Sequence, residues 1–441
     1  MSPSLARLFG QNSTRNVDLR RLMLQCHHGA QTIYAVCVGA GDAFINRYWP
    51  VLRMAVARKR LHLLVADEHP LEALRSGKTQ QAEQSGEQEA AKNLARGYEE
   101  LMSDVKGKGD VIYVNRTDPK ERHWYGHVRA DIVFVLVPDD QHIKVAKDWL
   151  RRSTLIIIEK PYNRLLREAE QFQRDLGLMM NHIGGDVPAT WVCAFDHYLA
   201  KIGRYAFAKE KDSLFSRIGA LERVEFAILE KGPVEAWRGR SLEAGMIYDL
   251  FSHVLAMLSL ELDLSTFHED AVTEIKVAHH KDCPCGFQAD TFAHLDFALK
   301  NYDGREIKVV GDVGKGVGDR DDKFLTLVGE FGLIQCDLNP RGSGKILIEE
   351  RDHRTRQPIP GTRQPIYDVG RGHEEFLETL LAGRYVEEPT GGMTGDTAIE
   401  ILRIMNSIRE TIPDSMYTYD VGDPKNDIAE SATPLPIARS D

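Results

Sequence analysis

The segment Gly245–Leu258 contains an aspartate and a histidine four residues apart, Asp249 and His253. On an α-helix this spacing puts both side chains on one face, beside a stripe of apolar residues that would pack into a domain core. An imidazole, whose unperturbed pKa is about 6.5, is suited to proton transfer near neutral pH. The spacing therefore predicts His253 as a general base, against the plainer alternative of a structural histidine on an apolar helix.

A second polar segment, Asp196–Lys201, offers an imidazole, a phenol and an ammonium group close to a predicted strand end. These donors are His197, Tyr198 and Lys201, and they suit a dianionic ester such as a phosphate. A local cluster of this kind matters because the chain is acidic, with 66 acidic against 56 basic residues and a net charge of −10. The segment is predicted to bind a substrate phosphate, and the alternative is an ordinary polar loop.

Glycines follow the first strongly apolar run, Thr32–Val38, in the order Gly39-Ala40-Gly41-Asp42. A strand, a glycine turn and a helix direct backbone N–H groups and the positive end of the helix toward a pyrophosphate. Phe44 occupies the position of the usual third glycine, so an ordinary strand-to-helix turn is the alternative. Asp67 ends the next apolar run, where a carboxylate can accept both ribose hydroxyls of NAD and would repel the 2′-phosphate of NADP. We therefore expect NAD or NADP as the cofactor, with NAD favoured.

Two further strand ends carry candidate ligand-binding residues. Glu159-Lys160-Pro161 follows the apolar run Leu155–Ile158, at the carboxyl edge where ligands bind in parallel sheets. The Lys160 ammonium can hydrogen-bond sugar hydroxyls, although such a pair of charges is often only surface polarity. Pro161, whose tertiary amide tolerates the cis form, is expected to set the chain direction. Pro138 is expected to line the nicotinamide side, with Glu159 and Pro161 also at the cofactor.

Four segments resemble, in the same order, the motifs of glucose-6-phosphate dehydrogenases. They are Gly39–Leu52 (GAGDAFINRYWPVL), Ile157–Arg164 (IIEKPYNR), Asp196–Lys201 (DHYLAK) and Gly245–Leu258 (GMIYDLFSHVLAML). The resemblance implies NAD(P)-dependent oxidation of a sugar phosphate like glucose 6-phosphate. Hydride would leave C1, a lactone would form, and His253 would be the base. The resemblance also implies that Asp196 orients His253 and stabilises its imidazolium form.

The pattern EKP followed by Asp-x-x-x-His is also similar to the wider Gfo/Idh/MocA family of sugar oxidoreductases, as is the segment Glu374–Arg409. The Asp249–His253 spacing matches that family, in which Asp249 would contact the substrate beside the base. The glycine loop is one residue shorter than in glucose-6-phosphate dehydrogenases, and Asp67 replaces their usual arginine for the NADP phosphate. Two alternatives stay open: a Gfo/Idh/MocA-type enzyme for another ring carbon or an unphosphorylated sugar, and a non-catalytic homologue that binds nucleotide or sugar.

Apolar runs of strand type alternate with helical segments in the first part of the chain. This alternation predicts an α/β fold with a doubly wound parallel sheet of Rossmann type. Later strands follow one another with few helices and predict an α+β domain with a largely antiparallel open sheet. The expected organisation is an extension (1–30), a dinucleotide-binding domain (31–190), a substrate and oligomerisation domain (191–422), and a tail without fixed structure (423–441). Within the second of these, residues 77–108 are expected to form an exposed helical insertion.

Composition excludes several classes of protein. The net negative charge disfavours nucleic-acid binding, and six cysteines are too few for a disulfide scaffold. No apolar stretch reaches the roughly 18 residues of a membrane span. We expect a cytoplasmic enzyme for a small sugar or sugar phosphate, forming a homo-oligomer through the open sheet as the resembled families do. No metal is expected, because His279, His280, Cys283 and Cys285 match no standard zinc spacing. Separately, the segment Gly314-Lys315 resembles the site of a substrate-contacting lysine in glucose-6-phosphate dehydrogenases.

Overall fold

The computed structural model of the protein describes residues 33–58, 60–84, 88–107, 110–182, 190–203, 214–231, 245–280, 290–316, 321–339, 344–352, 354–355, 357–361, 364–369, 372–381, 392–412 and 417–419. The predicted extension, the predicted tail and both cysteines of the 279–285 cluster lie outside these ranges. The chain divides into two compact units, Met1–Ala200 with Arg371–Ile399, and Lys201–Gly370 with Glu400–Asp441. Each unit has its own β-sheet.

The strands are numbered in chain order. They are β1 (Ile33–Val38), β2 (Leu61–Asp67), β3 (Val111–Asn115), β4 (Ala130–Val135), β5 (Ser153–Glu159), β6 (Trp191–Phe195), β7 (Leu221–Glu230), β8 (Leu262–Asp263), β9 (Val272–His280), β10 (Phe292–Asn301), β11 (Glu306–Lys315), β12 (Lys323–Gly329), β13 (Gly332–Asp337), β14 (Gly344–Glu350), β15 (Gln364–Val369), β16 (Gly392–Thr394) and β17 (Tyr417–Tyr419).

The α-helices are numbered in the same way. They are α1 (Trp49–Ala57), α2 (Leu71–Gln84), α3 (Gln88–Val105), α4 (Pro119–Tyr125), α5 (His142–Trp149), α6 (Leu166–His182), α7 (His197–Gly203), α8 (Leu214–Arg217), α9 (Ser252–Leu258), α10 (Gly372–Leu381) and α11 (Gly395–Glu410). Two π-helical turns, Phe44–Tyr48 and Ile247–Phe251, directly precede α1 and α9. Within the described ranges, no helix combines the length and the apolar character that crossing a bilayer requires.

The first unit contains a sheet whose described strands run in the order β16-β6-β5-β4-β1-β2-β3. β16 is antiparallel to β6, and the other neighbouring pairs are parallel. The strand order reverses between β1 and β4, as in doubly wound sheets. Both faces of the central strands are buried, which explains why β1, β4 and β5 are continuous apolar runs. The predicted parallel α/β architecture is confirmed.

The predicted insertion at 77–108 is helical, but the expectation of an exposed insertion is wrong for its second half. In α3 the side chains of Ala91, Leu94, Tyr98 and Leu101 are buried, and three of these residues belong to the core of the first unit. Their spacing of three and four residues places them on one face of the helix. The abundance of charged residues in the segment reflects only the opposite, solvated face.

The observed units differ from the predicted domain boundary at residue 190. β6 continues the parallel sheet beside β5, and β16, almost two hundred residues later in the chain, pairs with β6. α10 also belongs to the first unit, where Phe376 stacks on Phe195 with ring centroids 4.2 Å apart. Pairing between such distant segments leaves no local signal in the sequence, so a contiguous boundary was the natural expectation.

The second unit contains a larger mixed sheet. Its described strands run in the order β15-β14-β13-β12-β7-β11-β10-β9-β17, with β8 beside β10. The pairs β7–β11 and β9–β17 are parallel, whereas the others are antiparallel. Phe251 packs against Phe226 and Phe297 on one face, with ring centroids 5.8 Å apart in both pairs. The prediction of a largely antiparallel sheet is confirmed.

The role of α3 in the core can be measured. Leu101 is completely buried, so Leu101→Ala is expected to lower the free energy of unfolding by about 2–5 kcal/mol through the cavity it leaves. Lys92→Ala, on the exposed face of the same helix, is the matched control and should stay within about 0.5 kcal/mol of the unsubstituted protein. Urea unfolding measures both, and a small effect of both would mean that α3 is peripheral.

Candidate active site

The turn after β1 is shaped by glycine. Gly39 has a φ of +103°, and a Cβ there would lie 2.6 Å from the carbonyl oxygen of Leu136, just after β4. A side chain is therefore excluded twice, by the backbone conformation and by the approach of the neighbouring strand. Gly41 differs, since a Cβ on it would meet nothing within 4 Å. The turn is thus closed against the sheet at Gly39 and open at Gly41, where a ligand could approach the backbone.

Asp67, at the end of β2, is bonded to this turn. Its Oδ2 accepts the backbone N–H of Ala40 at 2.8 Å, and its Oδ1 accepts the backbone N–H of His69 at 3.1 Å. These hydrogen bonds hold the side chain in place, and because it is 14% exposed it still reaches solvent. Oδ1 also lies 3.1 Å from Nδ1 of His69, so Oδ2 is the oxygen whose second lone pair can accept a hydrogen bond from a ligand. Asp42, by contrast, is exposed and accepts a bond from Asn46.

Helix α3 supports the glycine turn from within the unit. The buried hydroxyl of Tyr98 donates to the carbonyl oxygen of Ala40 at 2.6 Å, and burial raises the pKa of Tyr98, which keeps this donor protonated. Gly97 lies against Ile45 in the first π-helical turn, where a Cβ would be 2.4 Å from the Ile45 side chain. This contact was missed by the sequence analysis. The helical spacing of the apolar residues in α3 was the signal that could have indicated it.

Glu159 is buried at the end of β5, and its predicted place at the cofactor stays a prediction. Its Oε1 accepts a 2.7 Å bond from the hydroxyl of Tyr48, and its Oε2 accepts the backbone N–H of Lys160. Burial, and then the Glu159 carboxylate, raise the pKa of Tyr48 well above its usual value, so the phenol remains a donor. Glu159 thus orients the backbone at Lys160, which is half-buried, and the Lys160–Pro161 peptide is cis.

Asp196 begins helix α7. Its Oδ1 accepts the backbone N–H groups of Tyr198 and Leu199, both at 2.9 Å, as the residue that caps a helix does. The Asp196–Lys201 segment is therefore helical, not an extended loop. Tyr198 is 3% exposed, His197 is half-buried, and their rings lie 4.2 Å apart. The side chain of Lys201 lies outside the described part of the structure.

His253 and Asp249 lie in a segment that is not a plain α-helix. Asp249 is inside the π-helical turn Ile247–Phe251, and His253 is the second residue of α9. A π-turn adds one residue to the helical turn, and residues four apart lie near the same face in α- and π-helices alike, so the shared face of Asp249 and His253 stays a prediction. His253 is 3% exposed and Asp249 is half-buried. Turns of this type recur at functional sites.

Asp290 holds the start of this helical segment. Its Oδ2 accepts the backbone N–H of Ile247 at 3.0 Å, and Arg409 donates to its Oδ1. Burial raises the pKa of the completely buried Asp290, while Arg409 lowers it. Gly245 is required beside it, since a Cβ would be 1.9 Å from Asp290 Oδ1. Asp290 was missed by the sequence analysis, because nothing in the local sequence links it to the helix.

Lys315 shares a glutamate with a second lysine at the ends of β7, β11 and β12. Its Nζ lies 3.6 Å from Glu230 Oε2, and the Nζ of Lys323 lies 2.9 Å from Glu230 Oε1. Both lysine side chains are largely buried, at 13% and 9% exposed. The resemblance suggested Lys315 as a substrate contact, and its ammonium group is at present oriented by Glu230.

The first unit brings most of the predicted residues to one edge of its sheet. The ends of parallel strands, or the turns after them, carry Gly39, Gly41, Asp42, Asp67, Pro138, Glu159, Lys160, Pro161, Asp196, His197 and Tyr198. The second unit carries Asp249 and His253. The residues of the first unit form a surface with an open glycine turn, a carboxylate and a lysine. Such a set of groups can bind a nucleotide and hydrogen-bond a polyol.

Several solved structures with a similar fold are oxidoreductases. UDP-N-acetylglucosamine 3-dehydrogenase GnnA from Acidithiobacillus ferrooxidans matches 87% of this chain and 98% of its own, with 16% identity and a TM-score of 0.54. Glucose-6-phosphate 1-dehydrogenase from Mycobacterium avium matches 88% and 93%, with 12% identity and a TM-score of 0.58. An oxidoreductase from Bacillus cereus matches 88% and 100%, with 14% identity and a TM-score of 0.55. No protein-family model and no curated protein matches the sequence.

The chain has the fold of Gfo/Idh/MocA-type oxidoreductases and glucose-6-phosphate dehydrogenases. The recognition made from four short motifs is thereby confirmed at the level of the fold. At identities of 12% to 16%, the likeness concerns the fold, and the roles of individual residues must be argued from their own contacts.

The anchoring of the His253 helix gives a stability prediction. Arg409→Gln leaves the Asp290 carboxylate buried without its cation, which is expected to cost about 3–5 kcal/mol at neutral pH. Because burial then raises the pKa of Asp290 further, the loss should shrink as the pH falls and the carboxyl group takes up a proton.

The control is Arg403→Gln on the same helix, which removes an exposed pair with Glu400 and should cost less than about 1 kcal/mol. The double variant Arg409→Gln with Asp290→Asn should recover much of the stability. Urea unfolding at several pH values measures all three, and a pH-independent loss in Arg409→Gln would contradict the assignment.

Proposed function

We propose that the protein is an NAD(P)-dependent oxidoreductase that acts on a sugar or a sugar phosphate. The observation that carries the proposal is the turn after β1, in which Gly39 is closed against the sheet, Gly41 is open, and Asp67 bonds the turn. A dinucleotide pyrophosphate fits such a turn because no side chain stands between it and the backbone N–H groups at the start of a helix. The fold shared with sugar dehydrogenases supports the same class of reaction.

Asp67 supports NAD over NADP as the cofactor. Its carboxylate is oriented by Ala40 and His69, and Oδ2 keeps a lone pair for a ribose hydroxyl. A phosphate on the ribose 2′-oxygen would instead be repelled by it. The neighbouring Glu68 contributes less to this repulsion, because Arg116 lies 3.3 Å from it and balances its charge.

Oxidation of a sugar hydroxyl removes a hydride from carbon and a proton from oxygen. A bound nicotinamide supplies the acceptor for the hydride. His253 is the proposed acceptor of the proton, and Lys160 is the proposed hydrogen-bond donor to the sugar hydroxyls. The roles of Asp196 in orienting the base and of Asp249 in contacting the substrate come from the resemblance. The product is a lactone if the oxidised carbon is C1.

A phosphate on the substrate would be bound by His197 and Lys201. Tyr198 is the weaker candidate, since its side chain is 3% exposed and a buried phenol is poorly placed for a dianionic group. Lys315 is a further candidate through its ammonium group. Lys201→Ala should raise the KM of phosphorylated sugars more than that of free sugars.

The second candidate is oxidation of another ring carbon, or of a sugar without a phosphate. It is favoured by the spacing of Asp249 and His253 and by the fold likeness to UDP-N-acetylglucosamine 3-dehydrogenase. The product would then be a ketone. The two functions are separated by one experiment, in which sugars, sugar phosphates and nucleotide sugars are each combined with NAD and with NADP. Absorbance of the reduced cofactor measures turnover, and mass spectrometry of the product identifies the carbon oxidised.

His253→Asn is expected to lower kcat by about 10²-fold or more, because general base catalysis contributes that much. The rate of the unsubstituted enzyme should also fall toward acid pH, where a protonated imidazole cannot accept a proton, and this pH dependence should disappear in the variant.

His268→Asn, at an exposed position of the second unit, is the matched control. Near-normal turnover of His253→Asn would rule out this base. If Asp196 acts through His253, then Asp196→Asn combined with His253→Asn should cost no more than His253→Asn alone. Saturable NADH binding without turnover on any substrate would support a non-catalytic binding protein.

Asp67→Asn is expected to raise kcat/KM for NADP relative to NAD by about tenfold, the equivalent of about 1.4 kcal/mol of relieved repulsion. Asparagine keeps an oxygen for the N–H of Ala40, so the turn should stay in place. Glu72→Gln, an exposed acidic residue on α2, serves as the control. An unchanged cofactor ratio in Asp67→Asn would remove Asp67 from cofactor selection.

A further inference from the structure

A buried histidine joins two of the turns at the ligand-binding edge of the first unit. His142 begins α5 and is 2% exposed. Its Nδ1 lies 2.8 Å from the carbonyl oxygen of Pro161, and its Nε2 lies 2.8 Å from the carbonyl oxygen of Val137. The first carbonyl belongs to the turn after β5 and the second to the turn after β4. These turns carry Lys160 and Pro138.

The two contacts of the ring are both with carbonyl oxygens. A carbonyl oxygen can only accept, so each ring nitrogen must donate. A neutral imidazole has one N–H and would turn a nitrogen lone pair toward an oxygen lone pair at the second contact. Only the imidazolium form satisfies both carbonyl groups, and at this degree of burial water cannot replace the missing donor.

The segments joined by His142 also contact the glycine turn. A Cβ at Gly39 would lie 2.6 Å from the oxygen of Leu136 and 2.9 Å from the nitrogen of Val137. A second link, an ion pair of 2.6 Å between Arg164 and Asp139, joins the same two turns. Contacts therefore connect the glycine turn to Val137, Val137 to the His142 side chain, and this side chain to Pro161.

We propose that His142, in its doubly protonated form, is a positioning residue that fixes the Lys160–Pro161 turn against the Val137–Pro138 turn. The charged groups on the segments that contact the ring are Asp139, Asp140, Glu159, Lys160 and Arg164. The consequences for catalysis rest on the proposed function, whereas the protonation of the ring does not.

The protonation is tested on the full chain without any ligand. Nitrogen-15 histidine spectra should show protons on both ring nitrogens of His142 at neutral pH. The signals are assigned by their loss in His142→Gln, or by elimination with His253→Asn and His294→Asn, which change the other histidines that are buried within the described ranges. A single protonated nitrogen would overturn the proposal.

Two variants separate the two bonds. The amide nitrogen of asparagine is two bonds from Cβ, as is Nδ1 of histidine. His142→Asn therefore keeps the bond to Pro161 and loses the bond to Val137. The amide nitrogen of glutamine corresponds to Nε2, so His142→Gln keeps the bond to Val137. We expect His142→Gln to raise the substrate KM about tenfold, the value of one buried hydrogen bond, with NADH affinity nearly unchanged. His142→Asn should weaken NADH binding by a similar factor.

NADH fluorescence titration and steady-state kinetics measure these effects, with the exposed His123→Gln as control. Equal losses in every parameter of both variants, or no loss in either, would contradict positioning by His142. If no sugar is oxidised by the unsubstituted protein, the proposed function fails, and the spectra and NADH titrations still decide the role of His142.

Discussion

The structure of the first unit depends on the close approach of two backbones where the strand order reverses. β1 lies between β2 and β4, and the chain can leave β1 beside Leu136 only because Gly39 has no side chain. A Cβ at that point would push the turn away from the sheet. The bonds from Asp67 and from Tyr98 to Ala40 would be lost with it. At the reversal point the connections from neighbouring strands lead to opposite faces of the sheet, which leaves a crevice for a ligand.

Buried polar contacts, more than apolar packing, determine the shape of the candidate site. Tyr48 and Glu159 orient the turn at Lys160, His142 joins two turns, and Asp290 holds the helix that carries His253. Apolar side chains can shift against one another with little loss of stability. A buried donor or acceptor that loses its partner, in contrast, lowers the free energy of unfolding. Such contacts therefore permit one backbone arrangement. A site that has to hold a hydroxyl group at a fixed distance from a base requires this kind of precision.

Two π-helical turns lie in the two segments that most resemble nucleotide-binding and catalytic motifs. One follows the glycine turn and leads to Pro50, which has no N–H for the helical ladder and whose ring clashes with the carbonyl four residues earlier. The other contains Asp249. In both, a wider turn replaces one turn of regular α-helix. Spacing rules for an ideal α-helix therefore indicated the helical segments but not the wider turns within them.

The sequence by itself determined the parallel strands of the first unit, the class of fold and the strand ends at which polar residues stand. Buried parallel strands are continuous apolar runs, and a residue such as Asp67 or Lys160 directly after a run must lie at an edge of the sheet. Tertiary structure alone decided that α3 supports the glycine turn, that β16 pairs with β6, and that Glu159, His142 and Asp290 bond to groups far along the chain. Local periodicity reports which face of an element is buried. It carries no information about the partner that buries it, because that partner is chosen by packing between segments distant in sequence.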